Sequence, residues 1–212
     1  MLKSIRSIRA FSVLFILFMT FIPVNGVQAL MGHPHGDSLL LLDAFVSQIR
    51  NGQSTDLRGI YIPEILAARV VQQPIGNNEF VSPRQNVVTQ FELASRVGST
   101  GLLAHNYLAG ESFSSLKEDQ KFYLIYGDGQ VQTFVVTEIL RYQALEPTNP
   151  WSEFRDLENG DFLTASAVFS KVYDKPGRVI FQTCITIGSN ISWGRLFVIA
   201  EPYSQNHYTE IE

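Results

Sequence analysis

The chain has 212 residues, 45% of them hydrophobic, a formal charge of −4 and a single cysteine. Three basic and no acidic residues lie in residues 1–29, so the rest carries thirteen basic against twenty acidic residues, a charge of −7. That balance argues against nucleic-acid binding and against an electrostatic hold on anionic lipid, and one cysteine excludes a disulfide within the chain.

At the N-terminus, Lys3, Arg6 and Arg9 precede an apolar stretch from Ala10 to Val24 and the small-residue site Val27-Gln28-Ala29. This is the order of a secretory signal. The stretch is short for a membrane span, which takes roughly 17–25 apolar residues, so cleavage near Ala29 is the first reading and an uncleaved anchor through residues 10–24 the second. Either predicts an exported chain, at the extracellular or cell-envelope face of the cytoplasmic membrane. The expected organisation is 1–29 as signal or anchor, 30–56 as an N-terminal helical segment and 57–212 as one domain. About 180 residues suffice for a sizeable core, and no internal repeat is evident.

Asp37 or Ser38 can cap a helix running through Leu39, Leu40, Leu41, Leu42, Ala44, Phe45, Val46 and Ile49 to a stop near Asn51-Gly52. Its broadly apolar character predicts packing on the domain or a place near the membrane. Beyond Gly52 come short β-branched and aromatic runs between turn residues. They predict strands at Gly59–Ile62, Ala67–Gln72, Val87–Leu93, Gly101–Leu108, Lys121–Ile125, Val131–Leu140, Arg178–Cys184 and Arg195–Ala200. Asp128-Gly129 reads as a two-residue hairpin turn with positive φ at both positions. Single helical turns are expected at Phe113–Leu116 and Pro150–Phe154, the latter with proline at a first helical position. Thr164 can cap a longer helix whose Ala167, Phe169, Val172 and Tyr173 share roughly one face before Lys175-Pro176-Gly177 ends it. The sum is a mainly β domain, read as a barrel.

Cys184 ends the run Val179-Ile180-Phe181-Gln182-Thr183-Cys184-Ile185. In an exported chain its thiol is buried and inert, paired between chains, or a nucleophile. A nucleophilic thiol needs activation, and His105 is the candidate base or acid among four histidines, since His33 and His35 sit in a His-Pro-His segment and His207 in the tail. An imidazolium favours the thiolate and can protonate a leaving amine. Arg195 could supply fixed donors to an oxyanion. Each residue also has an ordinary reading: a small buried hydrophobe, a satisfied structural histidine, and a surface arginine stacked on Trp193. No metal or other cofactor is expected, because Glu111, Glu118, Asp119 and Asp128 are scattered without the spacing of a calcium loop.

The segment Gly101-Leu102-Leu103-Ala104-His105-Asn106-Tyr107-Leu108-Ala109-Gly110, followed by Phe113-Ser114-Ser115-Leu116, resembles the histidine region of sortases, bacterial cysteine transpeptidases of the cell envelope. Val179 to Ile185 resembles their Thr-Leu-x-Thr-Cys strand, with Ile180 and Phe181 in place of Thr and Leu, and Arg195 to Ala200 resembles the arginine strand that follows. The similarity runs over most of Leu57 to Pro202. It implies an eight-stranded barrel with short helices, in which Cys184 is the nucleophile, His105 the general acid/base and Arg195 the oxyanion or substrate-positioning residue. It further implies substrate binding by Thr183, Asn106, Trp151 and Trp193, with the connection from Glu146 to Asp161 shaping the groove. The implied partners are a peptide sorting signal on a secreted protein and an amine of the cell envelope or of another, pilin-like protein. Two alternatives share this reading of the residues: a peptidase of the same fold that hydrolyses its substrate, and an exported β-barrel binding module with a degenerate site.

Overall fold

In the computed structural model, residues 34–204 are described; the expected signal or anchor over 1–29, together with His33 and His207, lies outside them. The first element is helix α1, Pro34–Ile49. It already covers the expected cap positions Asp37 and Ser38, which are helical. Leu42 and Ile49 are buried, with Phe45 and Val46 half-buried beside them. This i, i+3, i+4, i+7 stripe lies on Tyr61 and Ile125 of the domain. Leu39, Leu40 and Leu41 remain exposed.

Ten strands follow, in one sheet: β1 Leu57–Ile62, β2 Leu66–Gln72, β3 Val87–Phe91, β4 Thr100–Leu103, β5 Lys121–Tyr126, β6 Val131–Ala144, β7 Phe154–Asp156, β8 Phe162–Leu163, β9 Val179–Ile187 and β10 Asn190–Pro202. Hydrogen bonding runs β10-β9-β4-β3-β2-β1-β5-β6, and a β6–β10 pairing returns to the start. Eight strands therefore close into a barrel, with β7 and β8 as a side extension from β6. The pairs β2–β3 and β4–β9 are parallel and the others antiparallel. Closure leaves the eight strands no bare edge, and only the short extension ends in one. The interior is filled by alternate residues such as Ile60, Ile62, Val88, Leu102, Phe122 and Phe181. Each such side chain contributes roughly 1.5–3 kcal/mol by leaving water.

All eight expected strands form, with shifted limits. The run expected to extend to Leu93 leaves the sheet at Phe91, and Glu92–Arg96 becomes helix α2. The amide of Glu92 finds its partner in the buried Gln73 Oε1 at 3.1 Å, which satisfies a helix-start donor without a strand neighbour. Strand β4 stops at Leu103 instead of Leu108, and the turn expected at Phe113–Leu116 is helix α3, Ala109–Phe113. Phe113 is then drawn under the barrel wall, 4.9 Å ring to ring from Phe181. At Asp128-Gly129 only Gly129 has positive φ, 93°. Its N–H donates to Tyr126 O while Tyr126 N–H donates to Gln130 O, a three-residue connection with glycine in the left-handed position. The expected helical turn at Pro150–Phe154 is instead a non-helical connection leading into β7, because Phe154 pairs with Ala144 of the overlong β6.

Helix α4, Ala165–Tyr173, forms with the expected Thr164 cap, which accepts from Ala167 N at 3.2 Å, but Ala167 of the expected inward face is exposed and Val168 takes its place. Val168, Val172 and Tyr173 turn inward over Ile180, Phe197 and Ile199 on the outer face of the sheet. That second core places a helix along the strand that carries Cys184.

Candidate active site

Strand β9 alternates between two environments. Phe181 and Thr183 are buried, while Gln182 and Cys184 are half-buried on the opposite face. Phe181 lies in the barrel core between the rings of Phe113 and Phe122, and Ile180 packs under α4. Both substitutions relative to the Thr-Leu-x-Thr-Cys pattern thus fill apolar slots. The register of β9 with β10 sets Cys184 directly opposite Arg195. Residues so paired point to the same face with Cβ atoms about 4.5–5.5 Å apart, so thiol and guanidinium stem are neighbours by backbone geometry.

His105 comes from the other side of β9. The parallel β4–β9 pair aligns Leu103 with Gln182, Ala104 N–H donates to Gln182 O at 3.2 Å, and His105 is the next residue. The chain then turns sharply: His105 O accepts from Leu108 N at 3.0 Å and from Gly110 N at 3.1 Å. Gly110 is required there for space. A Cβ would stand 2.7 Å from the carbonyl oxygens of Ala104 and His105, and closer still to Thr183 Oγ1. The His105 ring stacks on Tyr107, 5.2 Å between centroids and 15° between planes.

Cys184, His105 and Arg195 all line one groove of about 450 Å³. Its walls come from β4, β9, α4 and the β6–β7 connection, the last through Asn149 and Pro150, and the β2–β3 loop adds Asn78 and Glu79. Apolar surface from Phe91, Val168, Phe169 and Phe197 faces the same space. The groove therefore combines a thiol, an imidazole and a guanidinium with a hydrophobic lining, the composition of a small-molecule or peptide site. Among the described residues no group of three or more His, Cys, Asp or Glu side chains could hold a metal ion.

Arg195 is firmly held. Nη1 donates to Ser192 O and Gly194 O, both at 2.9 Å, and Nη2 to Pro147 O at 3.2 Å. Three of five guanidinium N–H groups are thereby engaged, leaving Nε–H and one on Nη2. The bond to Pro147 ties the β6–β7 connection to β10.

The four other residues singled out in the sequence occupy different places. Thr183 borders the groove, but its hydroxyl is buried and donates to Ala104 O at 2.9 Å, bracing the segment before His105. Asn106 does not line the groove. Its Nδ2 donates to Thr186 Oγ1 at 2.7 Å and Ile191 O at 2.8 Å, stapling the His105 loop to the β9–β10 hairpin. Trp151 is 78% exposed and Trp193 half-buried, and neither is part of the lining. Trp151 follows Pro150 in a turn where its N–H donates to Asn149 Oδ1 at 2.9 Å, and only Asn149 and Pro150 of this turn line the groove.

Sequence reasoning missed Gln182, Tyr173 and Phe91. Gln182 was discoverable, since period-two alternation puts it on the face of Cys184. Tyr173 and Phe91 come from α4 and the end of β3, which only the tertiary fold brings to the groove.

No family model matches the chain, and no curated protein does. Among solved structures the chain is similar to sortase A of Listeria monocytogenes, 15% identical over 70% of this chain and 87% of that one, TM-score 0.46. It is similar also to sortase C1 of Streptococcus suis, at 18% identity over 82% and 86% with TM-score 0.47, and to sortase C-1 of Actinomyces oris, at 17% over 79% and 99% with TM-score 0.46. Each of these is a sortase.

Proposed function

We propose that this chain is a sortase-type cysteine transpeptidase. The observation that carries the reading is the meeting of Cys184, its cross-strand partner Arg195 and His105 along one groove. The Cys184 thiolate adds to a peptide carbonyl, forming the C–S bond, and the carbonyl electrons move onto oxygen. The free N–H groups of Arg195 serve that oxyanion. As the carbonyl re-forms, the C–N bond breaks and the His105 imidazolium gives its proton to the departing amine, leaving a thioester. An incoming amine then adds to the thioester, His105 takes its proton, and loss of the thiolate regenerates Cys184. Water in place of the amine gives the hydrolytic alternative by the same steps. In this reading residues 1–29 export the chain, and the substrate is a sorting peptide on a secreted protein.

Incubation with a randomised peptide library, with and without an added amine, tests the proposal by mass spectrometry. The expected result is a thioester on Cys184, transfer product only when amine is present, and no adduct in Cys184→Ala. His105→Ala should fold but lose nearly all turnover, and Arg195→Lys should lose about 100-fold or more, because lysine keeps the charge but not the fork. An adduct on another residue, or full turnover in Arg195→Lys, contradicts the assignment, and hydrolysis unaffected by amine selects the peptidase.

A further inference from the structure

From β9, Gln182 lines the groove on the face of Cys184, whereas the Thr183 hydroxyl between them is buried and donates to Ala104 O. The strand partners of Gln182, Leu103 and Phe197, also line the groove, so it sits between apolar neighbours. The Tyr173 hydroxyl donates to Gln182 Oε1. Tyr173 is itself buried and held by the rings of Phe91 at 5.5 Å and Phe169 at 5.1 Å. Burial pushes the pKa of that hydroxyl far above the ordinary phenol value, so it remains a neutral donor. With its oxygen accepting from Tyr173, the Gln182 amide has its nitrogen left as a donor, and no hydrogen bond from that nitrogen is formed to the described residues.

We propose that Gln182, held by Tyr173, is a specificity-determining residue that selects an uncharged side chain with a carbonyl acceptor, glutamine or asparagine, over an aliphatic one in the bound peptide. The inference rests on the reading that the groove takes a peptide. Two residues of strand separate Gln182 from Cys184, roughly 6–7 Å. An extended peptide covers the same distance in two residues, so the selected position lies about two residues from the scissile carbonyl. The aromatic and aliphatic walls bury the stem of such a side chain. A leucine there would leave the amide donor desolvated without a partner, and a charged side chain would lose its hydration against Phe197, Phe169 and Leu103.

The test is binding to the full chain carrying Cys184→Ala, which retains peptide without turnover, using a randomised peptide library. Expected is a single position at which glutamine or asparagine is retained over leucine by about tenfold. Adding Gln182→Leu should invert that preference toward leucine. The near-isosteric Gln182→Glu, which offers no donor when ionised, should abolish it with little demand on folding, and melting curves verify that both fold. An unchanged ranking in both variants, an equal loss for all peptides as a main-chain contact would give, or no retained peptide, overturns the proposal. The two readings fail separately. Acylation of Cys184 in the wild-type chain without side-chain preference sinks the role of Gln182 alone, whereas selective binding without any thioester sinks the chemistry alone.

Discussion

The reactive geometry depends on one residue that carries no reactive group. Gly110 lets the chain fold back so that its own N–H reaches His105 O, and the cost of adding even a methyl group can be located. Its φ lies outside the left-handed region, so alanine is acceptable as a backbone conformation, and the obstacle is the oxygen atoms of Ala104, His105 and Thr183. Two of those are main-chain atoms that cannot rotate away. Gly110→Ala should therefore cost about 1–3 kcal/mol of stability, as other overpacked sites do. It should also displace His105 and slow formation of the Cys184 thioester by more than the lost folded fraction accounts for. Chemical denaturation and single-turnover acylation of the same sample measure the two effects. Wild-type acylation in the folded variant would mean that His105 tolerates this shift.

At the scale of elements, the groove wall formed by α4 hangs on a cap. Thr164 Oγ1 accepts from Ala167 N, one of the four amides that a helix start leaves without an internal partner. Thr164→Ala should cost about 1 kcal/mol in denaturant unfolding. Because α4 brings Val168, Phe169 and Tyr173 to the groove, peptide binding should weaken while the reactivity of Cys184 toward a small alkylating reagent stays unchanged. A parallel fall in thiol reactivity would mean that α4 also supports the nucleophile. Helix α4 and its cap were readable from sequence because local chemistry set them, as were the eight barrel strands with their turn-bounded runs. The end of β4 was not. Leu103, Ala104, Leu108 and Ala109 form one apolar series, and periodicity alone cannot separate a buried strand from a buried loop. Strands β7 and β8 escaped for a related reason: each is three residues or fewer, and β7 exists because β6 extends far enough to pair with it, as β8 does because β7 is there to pair with. The candidate site divides along the same line. Cys184, His105 and Arg195 stood out as residue types in a motif order, whereas Tyr173 and the carbonyl clamp on Arg195 arise from segments that meet only in the folded chain.

For the whole molecule, the barrel closes through β6 and β10 without any contribution from α1, yet α1 is part of the fold. Leu42 and Ile49 cover Tyr61 and Ile125, and Gly59 lets the helix approach so closely that a Cβ there would meet the Phe45 ring at 3.0 Å. Past the helix, the amides of Asn51 and Gly52 both donate to Gly127 O, at 2.8 and 2.7 Å, which ties its end to the β5–β6 hairpin. This fixes two truncations with opposite outcomes. A chain beginning at residue 34 should melt cooperatively at the temperature of the full chain and retain its reactivity at Cys184, since the basic-then-apolar order of residues 1–29 is that of an export segment and not of a domain element. A chain beginning at residue 53 loses the burial of Leu42 and Ile49, about 3–6 kcal/mol at roughly 1.5–3 kcal/mol per side chain, and uncovers their partners as well. That is a large fraction of the 5–15 kcal/mol typical of a domain, so it should be markedly less stable and prone to aggregate through the uncovered Tyr61, Tyr123 and Ile125. Thermal unfolding of the two chains side by side measures the difference. Equal stability would show that α1 rests on the barrel without holding it.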